Sequence, residues 1–215
     1  SPRSAALLQK IDAWPEQAAA YHSMRVWEER GSSALDFAAA SVNRQELGWL
    51  VEVGPLLESL WQRLEVHPNV QIVLGTTQCV TPGHHSIVLT LKPFQAGTNA
   101  QGQANAQGEA NAQGQAPIDL TAEFLIACDG ASSAVRENLG VDLRHWRTGQ
   151  MALTTVVRTQ QPHGHTAWQR FLLDGPLALL PSKDPYLCSI VWSQSEDNAR
   201  ARLALDDVDF CRLLT

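Results

Sequence analysis

The sequence predicts a mixed α/β fold in which an incomplete layered α/β part is joined to an antiparallel sheet. Three observations carry that expectation. Residues 122–140, AEFLIACDGASSAVRENLG, pass from an apolar pentad through a sharp bend into a helix start. Residues 152–192 hold four β-rich runs separated by short turns, the pattern of an antiparallel sheet. Two stretches, 4–14 and 55–64, carry apolar residues at helical spacing.

The stretch 122–140 organises the rest. Its apolar run 124–128 (FLIAC) is short enough for one strand and apolar on both sides, as a strand buried on two faces reads. Asp129-Gly130 then bends the chain. Ser132 and Ser133 are good helix caps, residues 134–139 read as a short helix, and Gly140 stands where a helix ends. The expected unit is therefore strand, tight turn and helix N-terminus. The free amides of such an N-terminus suit phosphate oxygens, and Arg136 adds a full positive charge one turn in.

Taken in chain order, residues 4–14 form a helical stripe through Ala5, Leu7, Leu8, Ile11 and Trp14, which Pro15 breaks. Residues 24–27 and 34–38 alternate apolar and polar around a turn at 29–32, an antiparallel hairpin with one apolar face. The alternation assigns Trp27 to the core rather than to a ligand platform. Residues 55–64 form the clearest helix, with Leu56, Leu57, Leu60, Trp61 and Leu64 as its buried stripe. Residues 70–74 and 86–92 read as strands. Residues 99–116 repeat a six-residue unit three times, as NAQGQA, NAQGEA and NAQGQA, without one large apolar side chain. Stacking such units buries almost nothing, so the segment reads as a low-complexity insertion at a hairpin tip. Strands are expected at 152–158, 168–173, 177–180 and 186–192, and helices at 195–203 and 208–214.

Composition excludes several function classes. The formal net charge of −6 and the scattered arginines argue against a nucleic-acid backbone as partner. The four cysteines include no Cys-x-x-Cys pair, and Cys128 and Cys188 lie in apolar runs as buried thiols, which suits a reducing compartment. His84-His85 and His163-Gly164-His165 sit beside Gly or Pro without metal-ligand spacing, so no metal site is expected. No signal peptide and no run of bilayer-spanning length occurs. Ser1-Pro2-Arg3 and Leu213-Leu214-Thr215 read as cut ends.

The full pattern Asp129-Gly130-Ala131-Ser132-Ser133-Ala134-Val135-Arg136 resembles the D-G-x-x-S-x-V-R motif of class A flavoprotein aromatic hydroxylases, the group that includes p-hydroxybenzoate hydroxylase. Residues 169–172 (QRFL), 175–181 (GPLALLP) and 188–192 (CSIVW) are similar to the ubiquinone-biosynthesis hydroxylases of the UbiH, UbiF and VisC type. Met24-Arg25-Val26-Trp27-Glu28 resembles their M-x-V-W-D/E strand, and residues 1–8 resemble a helix that follows their first β-α-β unit. The likeness covers most of the chain apart from 99–116. Two departures stand out. Val53-Gly54 stands where the family usually has Asn-Arg after position 52, which weakens the case for a flavin contact there. The family's glycine-rich G-x-G-x-x-G loop and its later G-D-A-A-H motif are both absent, so the chain resembles the middle of such an enzyme.

The resemblance implies an α/β (α+β) fold of the p-hydroxybenzoate hydroxylase type: an incomplete FAD/NAD(P)-binding layer at 1–21 and 49–150, and a partial substrate domain at 22–48 and 151–215. It implies FAD near Asp129, Gly130, Ser133 and Arg136, with NAD(P)H as co-substrate and oxygen delivered to an aromatic ring. The implied substrate is a polyprenylated phenol or another aromatic small molecule. Implied too are other ubiquinone-biosynthesis proteins as partners and a cytoplasmic location, peripheral on the inner membrane, although no basic amphipathic helix supports membrane contact. Because the cofactor carries the chemistry, no residue of this chain is assigned as catalytic. Phe171, Leu179, Leu180 and Pro181 are the pocket candidates, with plain core as the equal alternative. Without its glycine loop the chain alone is expected to bind FAD weakly or not at all. Two other readings stay open: a non-catalytic binding or scaffold module, and a related flavin monooxygenase, halogenase or oxidase acting on a soluble aromatic.

Overall fold

A computed structural model describes residues 1–94 and 116–214. Its elements are α1 (Pro2–Lys10), β1 (Ala19–Tyr21), β2 (Ser23–Glu28), β3 (Ala34–Ala38), β4 (Gly48–Leu50), α2 (Val53–Val66), β5 (Gly75–Pro82), β6 (Ile87–Pro93), β7 (Ile118–Ala122), α3 (Ala134–Asn138), β8 (Gln150–Arg158), β9 (Thr166–Leu172), β10 (Gly175–Pro181), β11 (Leu187–Ser195), α4 (Glu196–Leu203) and α5 (Asp207–Leu214). They fall into two units, Ser1–Arg63 with Trp146–Thr215, and Leu64–His145. No helix among the described residues is long and apolar enough to cross a membrane, which leaves strand-built spans unaddressed. The repeat at 99–116 lies outside the described residues except for Ala116.

The first unit is built on a six-stranded sheet in the order β3-β2-β9-β10-β11-β8. The expected hairpin forms, with Met24 opposite Phe37 and Trp27 opposite Ala34. The four expected strands of the second half become β8 to β11, paired antiparallel. What local pattern does not contain is the parallel pairing of β2 with β9, which joins the hairpin to them across a long sequence interval. Along β11, Cys188, Ile190, Trp192 and Gln194 all point to one buried face. There α4 packs on β8 and β11, and Phe210 and Leu214 of α5 pack against Leu153 and Trp192. The Arg202 guanidinium lies 4.1 Å from the centre of the Trp192 ring, a cation–π contact that pins α4. Asp174, in the turn before β10, anchors the start of α4. It accepts from Asn198 Nδ2 at 2.7 Å and from the Ser195 amide and hydroxyl at 3.3 Å. These bonds, that to Asn198 foremost, hold its carboxyl below the usual range.

The second unit holds the antiparallel sheet β5-β6-β7, with α3 packed against β5. Four expectations fail in and around it. Residues 124–128 form no regular element and join no ladder among the described residues, and Phe124 and Ile126 are 83% and 84% exposed. The run has strand chemistry, but a strand needs a neighbour to bond, and no described strand lies alongside it. For the same reason Cys128 is exposed rather than buried, whereas Cys188 is buried as expected. Residues 70–74 likewise form no strand, although the Leu74 carbonyl accepts from the Phe94 amide at 3.1 Å, and the ladder itself starts at Gly75, in a strand that the sequence pattern does not mark. Finally, α2 forms over a slightly longer span than expected, yet none of its residues is buried and Leu57 and Leu64 are exposed. Leu56, Leu60 and Trp61 of the stripe are half-buried. The α1 stripe departs similarly, burying Ala5 but leaving Leu7 and Ile11 exposed.

Candidate functional site

The bend at 129–136 is held by a chain of hydrogen bonds that begins at Asp129. Ser133 is the N-cap of α3, as its position in the sequence predicts. Its hydroxyl donates to Asp129 Oδ1 at 2.6 Å and accepts from the Arg136 amide at 3.0 Å. The other carboxylate oxygen accepts from the Val135 amide at 3.1 Å. The Ser133 hydrogen bond, followed by that of the Val135 amide, pulls the Asp129 carboxyl below its usual range, so it is ionised at neutral pH. The Arg136 guanidinium donates through Nη2 to the Ala131 carbonyl, closing the loop on itself. Gly140, at φ 60°, ends the helix in the left-handed conformation its position suggested.

This geometry corrects the expectation that free helix amides face a diphosphate. The amides of Val135 and Arg136 are taken by Asp129 and Ser133, and the Arg136 side chain bonds its own loop. Moreover, α3 is only five residues long, so it offers little macrodipole. Ser133 is 5% exposed, and its hydroxyl, donating to Asp129 and accepting from the Arg136 amide, holds the carboxylate in place. What the bend does present outward is Gly130. Its φ is 82°, and a Cβ added there would meet nothing within 4 Å, which leaves its backbone open to close approach. The four sequence-nominated residues are thus brought together. The bend presents outward the exposed Asp129-Gly130 backbone and an ionised carboxylate, while the Val135 and Arg136 amides are engaged within it.

The four pocket candidates lie in the other unit and do not converge. Side chains alternate along β10, and the ladder sets Phe171 of β9 opposite Pro176. Phe171 and Leu180 therefore share one face of the sheet. Leu179 and Pro181 share the other, with Ile190 and Cys188. Pro181 is fully buried and reads as core. The Phe171 face carries further exposed apolar side chains, Leu35, Phe37 and Val156. Period-2 alternation was already present in residues 175–181 and could have separated the two pairs.

The FAD binding domain family matches residues 91–208. The zebrafish (Danio rerio) protein "Ubiquinone biosynthesis monooxygenase COQ6, mitochondrial" is 28% identical over 218 residues, covering 98% of this chain and 41% of that protein. The "3-demethoxyubiquinol 3-hydroxylase" of Escherichia coli K12 is 29% identical over 205 residues, covering 93% of this chain and 46% of its own length. The chain thus spans less than half the length of the curated relatives it matches. Among solved structures, Pseudomonas aeruginosa PqsL in complex with 2-aminobenzoylacetate superposes with a TM-score of 0.66 at 14% identity, covering 94% of this chain and 49% of that one. The p-nitrophenol 4-monooxygenase PnpA from Pseudomonas putida does so at 0.63 and 17%, with the same coverage. These two share the fold: the p-hydroxybenzoate hydroxylase-like arrangement of an α/β layer with an antiparallel sheet. With more than half of its length matched and the Asp129–Arg136 pattern inside the match, the chain belongs to the FAD binding domain family.

Proposed function

We propose that the chain is the central part of a flavin-dependent monooxygenase that hydroxylates the aromatic ring of a ubiquinone precursor, using NAD(P)H and oxygen. The observation that carries this is the Asp129–Arg136 bend, with an ionised carboxylate and an open Gly130, inside a chain that aligns almost end to end with ubiquinone-biosynthesis monooxygenases. When bound, FAD supplies the redox chemistry and the activation of oxygen. This chain's own residues bind, orient and exclude water. Asp129, fixed by Ser133 and Val135, offers a rigid acceptor to a cofactor hydroxyl. Gly130 lets the diphosphate approach the backbone. The apolar sheet face with Phe171 and Leu180 supplies a dry wall for an aromatic substrate. An apolar-tailed phenol, peripheral contact with the inner membrane and partnership with other ubiquinone-biosynthesis proteins follow from the same reading.

The test is the whole protein purified with its flavin, assayed for hydroxylated product with candidate phenols. Asp129→Ala should lower both flavin content and turnover. Unchanged flavin content and turnover in that variant would refute the role given to the bend. A whole protein that purifies without flavin and takes none up would favour a non-catalytic module.

A further inference from the structure

The face of the six-stranded sheet opposite Phe171 and Leu180 holds a feature that the monooxygenase reading does not use. The parallel ladder places Arg25 of β2 opposite Trp168 of β9, and Trp27 opposite Arg170. Arginine and tryptophan thus alternate both along and across the two strands. The Trp27 and Trp168 rings meet edge to face, with centroids 6.2 Å apart and planes at 85°. Beside them the β2–β3 turn, with Ser32 and Ser33, rims a depression of about 260 Å³ floored by Arg25, Trp27 and Trp168. Ala34, opposite Trp27, is too small to fill it. The covering helix α4 packs on β8 and β11, so it does not reach this end of the sheet. Trp27, assigned to the core from its alternation, is instead only half-buried and lines an open site.

We propose that this depression is a binding site for a planar aromatic carboxylate of one or two rings. Two indoles set edge to face offer flat apolar walls that a ring can join in the same herringbone manner. A guanidinium at the floor offers a fork that matches a carboxylate bidentately. Arg25 is available for this, since its partner Asp36 lies at 3.6 Å with both side chains largely exposed, and such a pair holds weakly. The volume sits just below the usual range for small-molecule pockets, about 300–1,000 Å³, which limits the ligand to one or two rings. The site is independent of the flavin reading and survives its failure.

The experiment is calorimetric titration of the full chain with 2-naphthoate and with neutral 2-naphthamide. The acid should saturate one site per chain and bind about tenfold more tightly than the amide, the scale of a charge-assisted fork. Arg25→Gln should weaken the acid by about the same factor and leave the amide unchanged. Asp36→Asn, which frees Arg25 without touching the indoles, should tighten the acid by about twofold. Val156→Thr, on the opposite face, should change nothing. Equal binding of acid and amide, acid binding indifferent to Arg25→Gln, loss on Val156→Thr instead, or no saturation at millimolar ligand would each overturn the proposal.

Discussion

Replacing Ser133 by alanine tests the idea that the bend is a self-capped support rather than a set of free donors. The hydroxyl is 5% exposed and links Asp129 Oδ1 at 2.6 Å to the Arg136 amide at 3.0 Å. Removing an N-cap side chain costs roughly 0.5–2 kcal/mol, typically about 1. The site is partly buried, so water replaces the lost bond to the Arg136 amide poorly, and the cost should lie in the upper half of that range, about 1–2 kcal/mol. Ser133→Thr keeps the oxygen and should lose less than about 0.5 kcal/mol, because threonine is nearly as good a cap. Urea unfolding followed by circular dichroism reads both variants as a shift of midpoint at constant slope. In the whole flavoprotein, flavin content should fall for alanine and hold for threonine, which a purely steric effect at this position would not produce. Alanine and threonine variants indistinguishable from each other would refute the capping argument. So would an alanine variant as stable as the parent with full flavin content.

Two glycines with positive φ should respond differently to alanine. At Gly175 the new Cβ would sit 2.3 Å from the Ser193 carbonyl oxygen, a backbone atom of β11, at φ 136°. Overpacking and backbone strain together should cost about 2–4 kcal/mol in a urea titration. Gly130→Ala meets no neighbour within 4 Å, so only its φ of 82° counts against it, at about 1 kcal/mol, while the lost close approach should show as reduced flavin affinity in the whole protein. For Asp129 the carboxyl sits lower in the folded chain than in the unfolded one. Its stabilising contribution is therefore complete above the ordinary carboxylate range and is lost as pH falls through the lowered value. Melting temperatures scanned from neutral pH to about pH 3 should fall more gently for Asp129→Asn than for the parent, since asparagine has no charge to lose. Finally, the chain by itself should bind FAD weakly or not at all, because the family's glycine-rich loop, which lets backbone approach the diphosphate, does not occur in it. Flavin that stays with the 215-residue chain through gel filtration would contradict this.

Much of the architecture follows from local pattern. Alternation and β-branched residues mark the β2–β3 hairpin and the strands β8 to β11. Ser133 and Gly140 announce the two ends of α3, and Asp129 to Arg136 carries the family likeness. These features rest on neighbours a few residues apart, so composition and spacing determine them. Pairing across long intervals is another matter. Whether the FLIAC run finds a ladder depends on a strand elsewhere, and among the described residues it finds none, which leaves Phe124 and Ile126 in the open. Which amides remain free at the bend depends on where the Asp129 carboxylate folds back, a contact six residues long that no motif records. Only the parallel docking of β2 on β9, more than a hundred residues apart, sets Arg25 beside Trp168 and Trp27 beside Arg170. Sequence spacing settles which face a side chain takes within its own strand; tertiary structure alone settles what stands opposite, because ladder hydrogen bonds are the same for every side chain and register comes from burial.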